Sequence, residues 1–583
     1  MGDDFGFFIL MSNQEIAKIL FEIGQYLEMQ DVAFKPRAYE KAAEVVAELG
    51  EQVAEIYKKD GIKTLEDIPG VGVSIAEKIE ELLKTGKSKY HAELKKKTPV
   101  ELAELTAVEG LGPKKIKVLY QKLGVKNIKD LEGVARAGKI AKLGGFGKKS
   151  EENILKGIGF TKSFGGRFLL GEASFLVGDI VARLRKIKGV ERAEAAGSLR
   201  RYKETIGDAD ILVITDNSKL VMDFFTAMPE VAHIFSHGET KSAVKLKNGM
   251  DVDLRVVSKE SYGAALAYFT GSKDHNVALR QMAIKKGYKL NEYGLFKGEC
   301  QIAGKTEEEI YEKLGMQYIP PEMREMRGEL NFSEVRLPKI IDYGDLKGDL
   351  QVQTSWTDGK NSIEEMARAA LVAGLDYIVI TDHTKRLAMT HGLDEKRIRQ
   401  QWKEIDEINL KLKTENLKLK ILKGTECDVL KDGTLDLPDE ILSHLDVVGV
   451  SVHSLFNLSK DQQTARIIKA MQNPNVDIIF HPTGRLINKR PAYEVDIDAL
   501  IDAAKRTKTV LEIDAFPDRL DLRDEHIRKC VEAGVKMCID SDAHSIYHFN
   551  VLEFGIAQAR RGWATREDII NAWPVEKMLG MLK

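Results

Sequence analysis

The sequence predicts a multidomain protein with an α-helical N-terminal part, a central α+β part and a C-terminal α/β part built as a parallel barrel or a wound sheet. Three observations predict this architecture. The chain has 583 residues, too many for one hydrophobic core. Apolar residues recur at three- and four-residue spacing up to about residue 160. Mixed strands and helices follow, and from about residue 345 short β-like runs alternate regularly with helices.

The helical part contains a repeated glycine unit. The copies read IPGVGVSIAEKI (68–79), VEGLGPKKIKVL (108–119) and, more weakly, LGGFGKKSEENIL (143–155). Two close glycines let backbone amides approach a phosphate, and the N-terminus of the next helix adds partial positive charge. An ordinary tight turn is the alternative for one copy, but the repetition favours helix-hairpin-helix units that bind the DNA backbone.

The central part carries paired carboxylates. Asp208 and Asp210 begin a strand-like run in GSLRRYKETIGDADILVIT (197–215), so both side chains project from one face. A divalent cation such as Mg²⁺ would relieve their repulsion. A third carboxylate comes from GMDVDLRVV, where Asp251 and Asp253 share a face and spacing does not choose between them.

This arrangement suits phosphoryl transfer. Three carboxylates can hold two ions, one activating a 3′-hydroxyl and the other holding a triphosphate. Gly197 and Ser198 offer a backbone turn and a hydroxyl to the phosphates, and Arg200 or Arg201 can neutralise developing charge.

Potential metal ligands follow the β-like runs of the C-terminal part. The carboxyl rim of a parallel barrel gathers such side chains, and imidazole with carboxylate suits zinc or manganese. The candidates are His383, Glu426, His453, His481, Asp542 and His544.

Composition excludes few functions. The net charge of −2 gives no global excess for binding nucleic acid, although a lysine cluster at residues 84–97 could supply a local patch. The cysteines, Cys300, Cys427, Cys530 and Cys538, form no CxxC pair, which favours a reducing compartment. The N-terminal apolar run is too short to span a membrane. We expect a cytoplasmic monomer.

The segments GSLRRYKETIGDADILV, DVDLRVV and AYFTGSKDHNVALRQMAIKKGYKLNEYGLF (267–296) resemble the family X DNA polymerases over about residues 12–318. The resemblance implies DNA-directed gap filling in base-excision repair with two Mg²⁺ ions. Gapped or primed DNA and deoxynucleoside triphosphates would be the partners. The third catalytic carboxylate would be Asp253.

The resemblance also assigns further site residues. Those expected at the nucleotide are Gly197, Ser198, Arg201, Gly207, Tyr268, Phe269, Gly271 and Asn276. Those expected at the template or DNA backbone are Gly70, Gly72, Gly110, Gly112, Arg255 and Arg280. An upstream arginine that touches the triphosphate in animal members has FLLGEA (168–173) in its place.

The N-terminal domain of some family members removes a 5′-deoxyribose phosphate through a lysine Schiff base. The matching nucleophile is Lys78, supported by Lys35 and Tyr39. A second supporting lysine is replaced by Ser74, so Lys78 as an ordinary helix lysine stays an open alternative.

Residues 345–583 resemble the PHP phosphoesterase domain, which implies an α/β fold built as a distorted parallel barrel that binds three metals in its active members. Asp358 joins the histidines and carboxylates named above as an implied ligand. Active members carry two metal-binding histidines on the first strand, where this chain has Gln351 and Gln353. We therefore expect an incomplete zinc or manganese site and weak or absent nuclease activity.

These patterns predict the following boundaries. We expect a helical DNA-binding and lyase-like domain at 11–90, a fingers-like domain at 91–162, a nucleotidyltransferase palm at 163–260, a thumb at 261–318, a linker at 319–344 and a PHP domain at 345–583. Two other functions remain open: a 3′–5′ exonuclease or abasic-site endonuclease whose polymerase half delivers DNA, and a non-enzymatic scaffold that binds DNA gaps.

Overall fold

The structure is a computed structural model. It describes residues 11, 13–49, 52–106, 108, 111–163, 166–333, 337–387 and 390–582. These residues form two compact units. One lies within Met1–Gly165 and includes Asn488–Arg490, and the other comprises Gly166–Ile487 and Pro491–Lys583.

The first unit is helical, as predicted. Leu20 and Ile23 of its first helix are fully buried, together with Ile79 and Leu82 of the fifth, because apolar residues at helical spacing face a shared core. The helices are α1 (Asn13–Met29), α2 (Lys35–Glu48), α3 (Val53–Asp60), α4 (Ile62–Glu66), α5 (Val73–Thr85), α6 (Lys89–Lys97), α7 (Leu102–Thr106), α8 (Pro113–Leu123), α9 (Ile128–Arg136) and α10 (Lys148–Ser163), with a 3₁₀ turn at Ile140–Lys142.

The described residues of the three glycine units share one backbone hydrogen bond. The residue between the glycines donates its N–H to a carbonyl three residues earlier: Val71 to Ile68 at 2.9 Å, Leu111 to Val108 at 3.1 Å, and Phe146 to Leu143 at 3.0 Å. Gly70 and Gly145 have φ of 83° and 85°, values that glycine adopts without strain. A helix begins directly after each unit, so the weaker third copy shares this hydrogen bond and the following helix with the first two.

The second unit begins with a five-stranded sheet in the order β2-β4-β7-β6-β5. Strands β4 and β7 are parallel and the other pairs antiparallel. Its elements are β1 (Phe168–Leu169), α11 (Leu170–Arg185), β2 (Val190–Ala195), α12 (Gly197–Arg200), β3 (Thr205–Ile206), β4 (Asp208–Thr215), α13 (Ser218–Thr226), β5 (Val231–His237), β6 (Lys241–Leu246) and β7 (Asp251–Val256).

A smaller lobe follows, built on the sheet β10-β9-β8. It contains α14 (Tyr262–Thr270), α15 (Lys273–Lys285), β8 (Lys289–Asn291), β9 (Gly294–Lys297), β10 (Cys300–Ala303) and α16 (Glu307–Lys313). The segment expected to be a linker packs closely against this lobe. It forms 3₁₀ turns at Pro321–Met323 and Glu329–Ser333, and the Arg324 and Glu329 side chains are fully buried.

The C-terminal part is a parallel barrel with strand order β11 to β17. The pairing of Val352 with Ala543 joins its first strand to the segment after its last. The elements are β11 (Gly348–Val352), α17 (Ile363–Val372), β12 (Tyr377–Ile380), α18 (Glu395–Thr414), β13 (Lys420–Asp428), α19 (Asp439–Leu442), β14 (Val447–Ser451), α20 (Lys460–Met471), β15 (Ile478–Ile479), α21 (Ile497–Thr507), β16 (Val510–Asp514), α22 (Asp524–Ala533), β17 (Met537–Asp540), α23 (Leu552–Arg561) and α24 (Val575–Leu579).

None of the helices in the described ranges is long and apolar enough to cross a membrane. All four cysteines are free thiols, and Cys427, Cys530 and Cys538 are buried.

Candidate functional site

The carboxylates on β4 and β7 share one face of the sheet. The parallel register pairs Asp208 with Asp251 and Asp210 with Asp253. Ala209 and Val252, which alternate with them, are buried on the other face. The two-residue spacing therefore gives one acidic surface, as the sequence predicts.

Their surroundings differ along the strand. Asp251 is exposed and pairs with Lys245 at 2.5 Å, whereas Asp253 is half-buried and pairs with Lys241 at 2.9 Å. Burial, followed by the charges of Asp208 and Asp253, raises the pKa of Asp210 to about 6. Asp208, Asp210 and Asp253 therefore act on one another electrostatically, an arrangement that a divalent cation would stabilise.

Gly197 lies directly beside this group. Its φ of +67° is left-handed, and a Cβ there would stand 3.1 Å from Asp210 Oδ2. Glycine thus brings the first turn of α12 close to the carboxylates. Ser198, the next residue of that turn, is half-buried.

Two arginines flank the predicted phosphate positions. Arg201 donates from Nε to Glu325 Oε1 at 3.0 Å and from Nη1 to the Thr270 carbonyl. Arg167 stands immediately before FLLGEA, and its Nη1 would lie 2.9 Å from a Cβ at Gly207. No upstream arginine was expected here from the sequence, so Arg167 is a functional candidate that the sequence motifs did not identify. The signal in the sequence that could have identified Arg167 is its position directly before FLLGEA.

The predicted nucleotide residues from α14 and α15 line one pocket of about 270 Å³. Asn276 Nδ2 donates to the Tyr268 carbonyl at 2.6 Å, and Arg255 stacks on the Phe269 ring with its guanidinium 4.4 Å from the ring centre. The pocket is lined by Arg201, Tyr268, Phe269, Thr270, Gly271, Lys273, Asn276 and Arg280. The structure thus brings together residues that are distant in the chain.

In the first unit, Gly72 and Gly112 immediately precede α5 and α8, and a Cβ at either would meet no atom within 4 Å. The predicted DNA contact Gly110 lies outside the described residues. Lys78 Nζ pairs with Glu77 at 3.6 Å and lies 5.8 Å from the centre of the Tyr90 ring.

The other residues of the lyase prediction are also placed. The Tyr39 ring stacks on the Tyr90 ring, and the Tyr39 side chain with its hydroxyl is buried. Burial raises the pKa of that hydroxyl. Lys35 is the exposed first residue of α2.

The predicted ligands of the C-terminal part meet at the carboxyl rim of the barrel. Glu426 belongs to β13, and His383, His453, His481, Asp542 and His544 follow β12, β14, β15 and β17. His481 and Asp542 have φ of 29° and 49°, strained values for these residues. Such strain concentrates at functional sites.

Two ligand groups form among the described residues. Asp358, His383 and His544 make one, and His383, Glu426 and His453 the other, each with its donor atoms within 4.8 Å of one another. His481 Nε2 also lies 2.9 Å from Glu426 Oε1. Burial alone would raise the pKa of Glu426, but His383, His453 and His481 hold it well below its usual value.

The metal position that would use the side chains at 351 and 353, together with Glu426 and Asp542, differs from these two groups. Both polar atoms of the Gln351 side chain are buried without a hydrogen-bond partner among the described residues. Gln353 Nε2 donates to Glu426 Oε2 at 2.8 Å, so a neutral N–H donor already engages the carboxylate that would serve a cation. The residues therefore fit two metal positions, whereas the third lacks nitrogen ligands.

Family models match most of the chain in separate segments. A helix-hairpin-helix domain matches residues 11–88, a SAM-like helix-hairpin-helix tandem 102–159, a DNA polymerase beta thumb 265–325 and a PHP domain 349–515.

Curated relatives match the whole chain or parts of it. The DNA polymerase/3′–5′ exonuclease PolX of Bacillus subtilis is 38% identical over 98% of this chain and 100% of its own length. A probable phosphatase of Thermoanaerobacter sp. is 32% identical over 36% of this chain and 84% of its own. The repair DNA polymerase X of African swine fever virus is 34% identical over 22% of this chain and 79% of its own.

Proposed function

Because this chain belongs to the family X DNA polymerases with a C-terminal PHP domain, we propose that it fills short gaps in DNA during repair, with Asp208, Asp210 and Asp253 as its catalytic carboxylates. The single observation that carries the assignment is the parallel register of Asp210 with Asp253, beside Asp208 on the same face. This face adjoins Gly197 of the predicted phosphate turn, because a Cβ at Gly197 would lie 3.1 Å from Asp210 Oδ2.

The carboxylates would hold two Mg²⁺ ions, which lower the pKa of the primer 3′-hydroxyl and neutralise the triphosphate. Lys241 and Arg255, 2.9 and 3.6 Å from Asp253 Oδ2, orient that carboxylate. The α12 turn approaches the triphosphate through Gly197 and Ser198. Arg201 and Arg167 supply fixed positive charge on either side.

The pocket of Tyr268, Phe269, Gly271 and Asn276 supports binding of the sugar and base of the incoming nucleotide. Asn276 is oriented by its bond to the Tyr268 carbonyl, so its side-chain oxygen is available to a base edge. Arg280 at the pocket wall suits a template contact. The glycine hairpins bind the DNA backbone without reading its sequence.

Gap filling is tested on a short gap with a 5′-phosphate, a labelled primer, Mg²⁺ and deoxynucleoside triphosphates. The wild-type chain extends the primer according to the template, and Asp208→Ala does not. Binding of gapped DNA without extension would instead support a DNA-binding scaffold.

For the PHP domain we propose weak nuclease activity with a partly complete zinc or manganese site. The support is the Gln353–Glu426 hydrogen bond and the unpartnered Gln351 amide within the described structure. Loss of one metal from a cluster costs several kcal/mol of barrier, on the order of 3. Efficient manganese-dependent digestion of a 3′-labelled primer that disappears in His481→Ala would contradict this proposal.

A further inference from the structure

Helix α23 of the barrel ends against the turn that carries Arg201. Arg561 Nη1 donates to the carbonyl oxygen of Arg201 at 2.6 Å, and Gln558 Nε2 donates to that of Tyr202 at 2.9 Å. Both acceptors follow α12 directly. The PHP domain therefore contacts the backbone of a residue that lines the nucleotide pocket.

A chain of alternating charges links the same two parts of the molecule. Asp524 Oδ2 accepts from Arg561 Nη2 at 2.6 Å, and Glu325 Oε1 accepts from both Arg561 Nη1 and Arg201 Nε, each at 3.0 Å. The Arg561 side chain is only 3% exposed, so these bonds are shielded from water. Buried charge pairs of this kind fix geometry because breaking one leaves a costly unpaired charge.

The Glu325 carboxylate forms ion pairs with both Arg561 and Arg201. Burial would raise its pKa, but Arg561, Arg201 and Lys203 hold the pKa below its usual value, so the group is a carboxylate. Because Arg561 neutralises part of the negative charge of Glu325, the Arg201 guanidinium keeps part of its positive charge for the pocket. Without Arg561, Arg201 would be the nearest cation to Glu325, since Lys203 lies 3.7 Å away.

We propose that Arg561 of the PHP domain is a positioning residue for the polymerase. It holds Glu325 and the Arg201 carbonyl in place, so that Glu325 compensates only part of the charge of the Arg201 guanidinium, which lines the nucleotide pocket. Arg561 acts through Arg201 and does not touch the nucleotide. The inference rests on the proposed polymerase function, and it gives the barrel a role in nucleotide binding that is independent of its metal ligands.

The test is steady-state single-nucleotide gap filling by the full chain carrying Arg561→Gln or Arg561→Lys. Arg528→Gln is the matched control, because Arg528 lies in the same domain, stacks on Trp563 and pairs with Glu532. In Arg561→Gln the KM for the deoxynucleoside triphosphate rises about tenfold while kcat stays within about twofold. Arg561→Lys gives a smaller rise, and Arg528→Gln leaves both constants unchanged.

Adding Glu325→Gln to Arg561→Gln distinguishes charge competition from general loosening of the fold. Removing the carboxylate releases Arg201, so the KM of the double variant returns toward the wild-type value. A KM for Arg561→Gln equal to that of Arg528→Gln overturns the inference, as does a fall in kcat without a rise in KM. If melting shows that Arg561→Gln does not fold, a KM for Arg561→Lys equal to that of Arg528→Gln overturns it.

Failure of the proposed function gives a different result. If the wild-type chain shows no extension that Asp208→Ala abolishes, the polymerase assignment fails. If that extension is present and the Arg561 variants keep the wild-type KM, only the positioning role fails.

Discussion

Asp210 illustrates how one carboxylate can couple catalysis to pH. Its pKa of about 6 arises from burial and from the charges of Asp208 and Asp253. A cation binds the carboxylate form, so protons and Mg²⁺ compete for the same group. The carboxylate form prevails above about pH 6 and is lost as pH falls through that value.

We therefore expect the Mg²⁺ concentration for half-maximal gap filling to rise as pH falls below about 6, approaching tenfold per pH unit. The measurement is a Mg²⁺ titration of primer extension from neutral pH to about pH 5. At saturating Mg²⁺ the pH at which the gap-filling rate falls on the acid side should move to a lower value. A half-maximal concentration that is constant across this range would contradict the competition.

Gln351 of β11 and Gln353, which follows that strand directly, are the subject of the second residue-scale prediction. Gln351→His together with Gln353→His restores nitrogen ligands next to Glu426 and removes the N–H donor that now engages it. We expect about one additional bound zinc or manganese ion per chain by elemental analysis. Manganese-dependent 3′–5′ digestion should also increase at least about tenfold.

The same double substitution in a His481→Ala background is the control, and there the gain in digestion should vanish. An unchanged metal content in the Gln351→His, Gln353→His variant would show that the glutamines do not limit the site.

Sequence spacing predicted the acidic face but did not decide which carboxylate of β7 joins Asp208 and Asp210 on it. Asp251 and Asp253 have the same parity, and only the strand register and the lysine partners separate them in the structure. Arg167 escaped detection because its role depends on the approach of Gly207, which is distant in the chain. Residue identity thus predicted the chemistry, whereas pairing across strands decided the partners.

At the scale of elements, the second glycine of the first two helix-hairpin-helix turns is needed for access to the backbone rather than for the fold. Gly72 and Gly112 have negative φ and open space at the Cβ position, so alanine fits both without strain. The added methyl group would fill the surface that a DNA phosphate approaches.

Gly72→Ala and Gly112→Ala should each weaken gapped-DNA binding by about tenfold while leaving the melting temperature nearly unchanged. Gly133→Ala, inside α9 with equally open space, is the matched control and should keep full affinity. The measurement is fluorescence anisotropy at fixed salt concentration. Equal affinity of all three variants would argue against backbone contact at these turns.

The segment 319–333 was expected from the sequence to be part of a linker, but the structure shows it packed against the neighbouring lobe. Its prolines and lack of periodicity indicated a linker, yet Arg324 is fully buried, donates to Glu307 Oε1 at 2.6 Å and packs on Tyr311 and Tyr318. Ion pairs and cation–π contacts stabilise this segment. Such contacts leave no periodic apolar signal in a sequence.

Glu307 of α16 accepts hydrogen bonds from Arg324 and Arg200. Burial would raise its pKa, but these two cations lower the pKa to about 2. Glu307→Gln should therefore destabilise the second unit by about 3 kcal/mol at neutral pH. A depressed pKa stabilises the fold above the unfolded pKa near 4.5, so the difference should shrink as pH falls from there toward 2.

The measurement is the urea midpoint at neutral and acid pH. Glu308→Gln, an exposed neighbour on the same helix, removes the same charge and should leave stability unchanged. Equal midpoints for the two variants would show that the Glu307 network adds no stability.

At the scale of the whole molecule, the second unit joins polymerase and barrel through buried polar contacts. Arg485, four residues after the predicted metal ligand His481, donates to Glu204 at 2.8 Å, and Leu520 of the barrel packs in the core beneath β4. The sequence predicted both architectures from alternation and periodicity. It did not predict their shared core, because no local pattern records which surfaces meet.

The central claim is that Asp208, Asp210 and Asp253 hold the cations of a templated polymerase. The most direct measurement is the rate of single-nucleotide gap filling by Asp253→Ala beside Asp251→Ala, with the wild-type chain as reference. We expect Asp253→Ala to lose at least about a thousandfold in rate and Asp251→Ala to stay within a few-fold, because only Asp253 lies beside Asp210. Full activity of Asp253→Ala, or an equal loss in both variants, would contradict the account.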